Sequence, residues 1–204
     1  MATLEKLFPT LIYRAKLEGR NATRLNQDLN TACRSVSRDD EAGQAWCREN
    51  AYQGYTSYAS LNDLHQRIPA FQDLLDQLQP HINDFAKSLQ FNLGGKTLAP
   101  DSLWINVLKP GGTHSGHIHP HSAISGTYYV SVPKGSSSLK LEDPRLPSMM
   151  AAPARRPTAP RDMQPFVYLE PEPGSIILFE SWLRHEVPVN RTKEDRISVS
   201  FNYA

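Results

Sequence analysis

Cysteine is scarce in this 204-residue chain, with Cys33 and Cys47 its only two. So few thiols leave no disulfide framework and fit a reducing cytoplasm. Charge of one sign is also lacking: 22 basic and 21 acidic residues leave a formal net charge of +1. That balance argues against a dedicated nucleic-acid surface, which needs a concentrated basic excess. The one dense basic spot, Arg155-Arg156, is too small to supply it. No run approaches the roughly 20 apolar residues of a membrane span. Met1 to Arg20 carries Glu5 early and has no apolar core ahead of a cleavage site, so it does not read as a signal peptide. What remains is an ordinary soluble composition, 39% hydrophobic and 21% charged. The length suits one domain spanning 1–204, with a full core, and is short for two.

The chain changes character near residue 95. Before it, periodicity is helical. Leu25, Leu29, Ala32 and Val36 recur at helix spacing, with Asn21 placed to cap the start and Cys33 on the same apolar face. A longer pattern runs through Phe71, Leu74, Leu75, Leu78, Ile82, Phe85 and Leu89, with Gly94-Gly95 to end it. Pro69 suits a first helical turn, whereas Pro80 is expected to kink or split the segment. The tyrosines Tyr52, Tyr55 and Tyr58 lie between these helices without a readable pattern. Residues 1–95 thus form a helical support region.

Residues 96–204 carry the signals of short strands. Trp104 to Leu108, Ser125 to Val132, Leu139 to Leu141 and Ser175 to Phe179 are apolar or rich in β-formers and are separated by turn residues. The last segment, Arg196 to Tyr203, alternates strictly: Ile197, Val199 and Phe201 against Arg196, Ser198, Ser200 and Asn202. Many short strands with turns between them indicate a sandwich or barrel. Asp143 to Pro165, with prolines at 144, 147, 153, 157, 160 and 165, reads as a long loop. It is expected to fold over a substrate as a lid or to be a surface insertion.

The histidines are unevenly spread. Four of seven fall between His114 and His121, and His185 follows a distant apolar strand. Residues two apart on an extended chain face the same way, so His117 and His119 could grip one metal ion together, with His185 arriving from elsewhere. A redox iron site needs its ligands on one side of the ion, leaving the other side open. Imidazole also serves zinc, copper and nickel. The plainer reading is an adventitious metal site or a polar strand edge.

Arg196 bears on that choice. If the polar face of its strand looks outward, the alternation describes a solvated strand and no more. If it looks into a barrel, it places a guanidinium and a hydroxyl in a cavity, where a buried arginine is expensive unless paired. A carboxylate would pair it bidentately, with Ser198 adding a hydrogen bond. Metal and arginine together fit a dicarboxylate with a keto group at the metal end.

With these residues in view the chain resembles the iron(II)- and 2-oxoglutarate-dependent oxygenases, more narrowly a branch found in bacteria and phages. The likeness rests on His117-Ile118-His119-Pro120, Ser125-Gly126-Thr127-Tyr128-Tyr129-Val130, Glu142-Asp143-Pro144-Arg145, Phe179-Glu180-Ser181-Trp182-Leu183-Arg184-His185 and Arg196-Ile197-Ser198-Val199-Ser200-Phe201-Asn202. The opening Leu7-Phe8-Pro9-Thr10 is also similar. The resemblance implies a mainly β fold with N-terminal helices (α+β), namely a double-stranded β-helix or jelly roll with helices packed on one sheet. It implies iron held by His117, His119 and His185, and 2-oxoglutarate held at its far carboxylate by Arg196 and Ser198. Succinate and carbon dioxide would be released as a substrate, small molecule or peptide, is oxidised. Asn106, Tyr128, Tyr129 and Asn202 are further expected pocket residues. An oligomer is compatible with all of this.

One departure matters. Most of the wider superfamily has His-x-Asp or His-x-Glu, and this chain has histidine in the carboxylate's place, leaving the site a full charge more positive. His121 or a carboxylate is then an alternative second ligand; Glu186 is expected on the opposite face of its strand, and the place of Asp143 in the long loop is not readable from the sequence. Two other functions stay open: a three-histidine cupin-like enzyme that does not use 2-oxoglutarate, and a non-catalytic jelly-roll module that binds a metal or ligand.

Overall fold

The alternating C-terminal segment lies in the middle of the molecule. In the computed structural model, which describes residues 1–204, the chain forms β1 (Tyr13–Lys16), α1 (Gly19–Asp39), α2 (Glu41–Glu49), β2 (Gly54–Thr56), α3 (Leu64–Arg67) and α4 (Pro69–Ser88). There follow β3 (Pro100–Leu108), β4 (His114–His117), β5 (Ile124–Ser131), β6 (Leu139–Glu142), β7 (Phe166–Leu169), β8 (Ser175–Glu180), β9 (His185–Val187) and β10 (Arg196–Tyr203). A six-stranded sheet has the order β1-β8-β5-β10-β3-β2, and a four-stranded sheet the order β4-β9-β6-β7. Every pairing within the two sheets is antiparallel. The architecture is mostly β with a few helices.

Strand β10 separates two cores because its side chains alternate. Ile197, Val199, Phe201 and Tyr203 join a 27-residue cluster with Leu25 and Leu29 of α1 and Phe71, Leu74 and Leu78 of α4. A second, smaller cluster holds Tyr129, Leu139, Leu141, Leu169, Ile177, Phe179 and Leu183 from both sheets. Arg196 and Ser198 lie on the same face of the large sheet as Tyr129 and are buried there. The helices thus back one face of the large sheet and leave the other to line a cavity.

The helices depart from expectation in three places. Asn21 lies inside α1; the position before the helix is Glu18, extended, with no side-chain cap. Pro80 does not split α4, which runs unbroken over 20 residues. Pro80 and Asp76, the residue whose carbonyl loses its helical partner, are both on the exposed face, where water can satisfy that oxygen. Leu74, Leu75, Leu78, Ile82 and Phe85 meanwhile stay buried. The helix also stops before Gly94-Gly95, at Ser88, and Gln90 takes the left-handed conformation at φ 56°.

Residues 143–165 form an irregular segment with two short 3₁₀ turns, Leu146–Ser148 and Arg161–Met163. No helix is long and apolar enough to cross a membrane.

Candidate metal centre

Antiparallel pairing of β4 with β9 sets His117 directly opposite His185. A register irregularity between His114 and His117 breaks the regular ladder there. The chain then leaves β4, and the main-chain N–H of His119 donates to Ser181 O at 2.9 Å, which ties it beside the approach to β9. Ring nitrogens of His117, His119 and His185 consequently lie within 4.8 Å of one another, a span that fits one shared ion. The ring centroids of His117 and His185 are 4.3 Å apart, and those of His119 and His185 are 5.0 Å apart.

Each ring has an oxygen acceptor at Nδ1. His117 Nδ1 is 2.7 Å from Ser115 O, His185 Nδ1 is 2.8 Å from Leu183 O, and His119 Nδ1 is 2.5 Å from Asn202 Oδ1. Carbonyl and amide oxygens only accept, so each Nδ1 carries the proton and each Nε2 keeps its lone pair. Ligating histidines in metal sites are held in the same manner by outer partners. No carboxylate joins the group. Asp143 is paired with Arg145 at 2.8 Å, and Glu186 with Lys140 at 2.7 Å. His121, the other alternative, sits exposed in a turn at φ 73° and is not one of the clustered rings.

Burial, more than any neighbour, pulls all of these imidazoles below their ordinary range. It lowers His185 to about 2 and His114 to about 3, with adjacent histidines adding to the shift, and it lowers His117 and His119 in the same direction. The rings are therefore neutral and free to ligate at pH 7. A consequence for stability follows. Above the ordinary value of 6.5 neither the native nor the unfolded chain protonates these groups. Below it the unfolded chain takes up protons that the native one refuses, so native stability falls as the pH drops from about 6.5 toward about 3. The slope is up to ~1.4 kcal/mol per pH unit for each histidine. The urea midpoint of metal-free protein should be level from about pH 8 to 7 and fall steeply below about 6. A midpoint unchanged down to about pH 5 would refute the neutral cluster.

The histidines form one end of a pocket of about 510 Å³, counting its open mouth. Its floor is the polar face of the large sheet. The register places Ser198 opposite Asn106 on one side and Tyr129 on the other. Arg196 is 2% exposed, and no carboxylate forms an ion pair with it. Its Nη1 reaches Ser198 Oγ at 3.5 Å, its guanidinium lies 5.0 Å from the centre of the Tyr129 ring, and its Nε has no partner. Tyr129 OH and Asn106 Oδ1 are likewise buried without partners. Such groups are costly to leave unmatched, and together they describe a site for an anionic, hydrogen-bonding ligand.

Two expected pocket residues fall elsewhere. Tyr128 points to the opposite face of β5, into the helical core, where its hydroxyl donates to Asn26 Oδ1 at 3.0 Å. Its neighbour Tyr129 takes the inner face, as a period of two requires. Asn202 does not line the cavity but stands behind His119. The lining also includes aromatic residues to which the sequence assigns no role, among them His114, with its ring 4.6 Å from that of His117; Tyr52, whose hydroxyl is 3.3 Å from His114 Nδ1; and Trp104, 5.4 Å from the His119 ring. The proline-rich segment contributes no residue to this pocket. It faces the N-terminal stretch across a separate groove and meets it through the Lys6–Asp162 ion pair.

Residues 102–202 match a family model described as "Putative 2OG-Fe(II) oxygenase". The chain belongs to the 2OG-Fe(II) oxygenase family. Iron(II) and 2-oxoglutarate are the metal and cosubstrate that define that family, and the histidine cluster and orphaned arginine of this oxygenase fit both. No curated protein matches it in sequence. Solved structures do share its fold. The non-heme alpha ketoglutarate dependent epimerase SnoN from nogalamycin biosynthesis is 14% identical, with 96% of this chain and 78% of that one covered and a TM-score of 0.64. A Pseudomonas putida prolyl-4-hydroxylase is 16% identical over 95% of this chain and 92% of its own, TM-score 0.56. EctD from S. alaskensis, solved with 2-oxoglutarate and 5-hydroxyectoine, is 14% identical over 96% and 72%, TM-score 0.64.

Proposed function

We propose that this 2OG-Fe(II) oxygenase holds iron(II) at Nε2 of His117, His119 and His185, and holds the far carboxylate of 2-oxoglutarate at Arg196, in order to oxidise a small-molecule or peptide substrate. The observation that carries the reading is Arg196: a buried cation with no carboxylate of its own, in the same pocket as three convergent neutral imidazoles. When bound, the metal and cosubstrate supply the oxidising chemistry, with succinate and carbon dioxide as by-products.

The chain's own residues bind, orient and exclude water. Arg196 offers Nε and a second guanidinium N–H as a fork, and Ser198 and Tyr129 add hydroxyls beside it. Asn106 is steadied by its own Nδ2, which donates to Ser200 Oγ at 3.1 Å. Phe179, with its ring 4.6 Å from that of His185, and the apolar cluster behind it keep water from the ligands' buried side. We read the two facing sheets as a double-stranded β-helix and the helices and sheets as one folding unit, since the 27-residue core joins the helices to the large sheet and the seven-residue cluster joins the large sheet to the small one. A second reading draws on the all-histidine donor set: a cupin-like enzyme without 2-oxoglutarate, in which Arg196 binds the substrate's own carboxylate.

Anaerobic titration of iron(II) and then 2-oxoglutarate into metal-free protein separates the two. A visible charge-transfer band that saturates with 2-oxoglutarate, followed by succinate formation on admitting oxygen, is the expected outcome. Iron binding with neither band nor succinate would reject the cosubstrate and bring the second reading forward.

A further inference from the structure

We propose that Asn202, with Ser125 behind it, is the positioning pair that makes His119 a metal ligand in the place where the wider superfamily carries a carboxylate. The inference rests on the metal centre assigned above and concerns how one ligand is aimed.

The three ligand rings are not supported alike. His117 and His185 lean on main-chain carbonyls two residues back in their own segments, Ser115 O and Leu183 O. Any side chains at those positions would leave these acceptors in place. The acceptor for His119 is a side chain, Asn202 Oδ1, from strand β10, 83 residues away. Its support is therefore set by residue choice.

The polar chain around that contact is self-consistent with Asn202 Oδ1 turned toward His119. Ser102 Oγ lies 3.4 Å from Asp101 Oδ2 and gives its proton there, so it accepts from Asn202 Nδ2 at 3.0 Å. This arrangement carries the amide with Oδ1 toward His119. Ser125 Oγ donates to the same Oδ1 at 2.8 Å and receives from Ser181 Oγ at 2.7 Å. Ser125 Oγ is also 3.1 Å from His119 Nδ1. With its own proton committed to Asn202, it acts there as a second, weaker acceptor. Oδ1 has no proton to give, so His119 must hold its proton on Nδ1, and Nε2 is left facing His117 and His185. Asn202, Ser125 and Ser181 are 6%, 0% and 0% exposed, so water does not compete for these bonds.

The support is neutral. An aspartate at 202 would accept the same N–H and add, one hydrogen bond away from the ion, the negative charge that a His-x-Asp site places on the ion itself. A leucine would fill a similar volume and accept nothing.

Two measurements test the pair on metal-free and cobalt(II)-titrated protein: the His119 tautomer by nitrogen-15 correlation spectra of the imidazoles, and the cobalt(II) dissociation constant. Wild type should show His119 protonated at Nδ1. Asn202→Leu should lose that single-tautomer signature and bind cobalt(II) about 10–100-fold more weakly, the usual effect of removing an outer partner. Asn202→Asp should keep the tautomer and bind at least as tightly as wild type, a rescue that mere packing would not give. Tyr128→Phe, on the far face of β5, should change neither readout. Wild-type tautomer and affinity in Asn202→Leu would overturn the proposal, as would an Asn202→Asp variant as weak as the leucine one. If wild type binds no cobalt(II) or iron(II), the metal centre fails along with it; if wild type binds and the variants match it, only the role of Asn202 fails.

Discussion

His185→Ala is expected to abolish stoichiometric iron(II) binding, weakening it by more than the ~10–100-fold typical of losing an outer-shell partner. In the proposed centre His185 is the residue that pairs across the ladder with His117, so its removal leaves His117 and His119 on one side with nothing opposite. Leu183 O would also lose the N–H it accepts at 2.8 Å, a buried vacancy worth about 1–3 kcal/mol. The variant should therefore be less stable than wild type near neutral pH. Acid should narrow the gap. His185 is held far below its ordinary range by burial, to about 2, so wild type loses stability at this position as the pH falls below about 6.5 and the alanine variant does not. The two urea midpoints should approach each other at about pH 5. His121→Ala, in its exposed turn, should bind iron(II) as wild type does. Equal loss in both variants would mean that the ligands are not the clustered three.

The part of this site that was legible in the sequence is the part written with a period of two. His117 and His119 flank one residue, and Arg196, Ser198, Ser200 and Asn202 alternate with an apolar series, so one strand face announces itself. Which face meets the cavity was not legible, because both faces of β10 are buried. The helices decide it by covering Ile197, Val199 and Phe201. The same periodicity should have separated Tyr128 from Tyr129: with Ser198 inward, its ladder partner Tyr129 is inward too, and that pairing is a tertiary fact. Asn202 shared the polar face with Arg196 but lies near the end of the strand, beyond the cavity and behind His119. Tyr52 carried no signal at all. It reaches His114 because short β2, just after it, pairs with β3, and three residues are too few to show a pattern.

The all-histidine donor set and the unpaired arginine have a shared electrostatic meaning. Without a ligand carboxylate the protein contributes no negative charge to the metal, and Arg196 adds a positive one to the same pocket. A dianionic cosubstrate bridging the two would offset both. Affinity for 2-oxoglutarate should then depend strongly on the metal, and the two should bind with positive coupling.

Replacing Arg196 with methionine should make the ligand-free protein more stable while removing its capacity for 2-oxoglutarate. At 2% exposure the guanidinium has lost its hydration, and it has recovered only a 3.5 Å contact to Ser198 and a face-on approach to Tyr129 at 5.0 Å. An unpaired buried charge costs several kcal/mol, of which a cation–π contact returns roughly 0.5–2. Methionine matches the stem's length and brings no charge, so a gain of about 1–4 kcal/mol in the ligand-free state is expected. With 2-oxoglutarate and metal present the order should reverse. Wild type gains stability as RT ln(1 + [L]/Kd), whereas the variant, lacking the charge-assisted fork, binds about 10²–10⁴-fold more weakly and gains little at the same concentration. Thermal melts of both proteins, with and without cosubstrate, give all four values. A variant less stable than wild type in the absence of any ligand would show that Arg196 already has a counter-charge in solution, and the case for a carboxylate as its missing partner would fall.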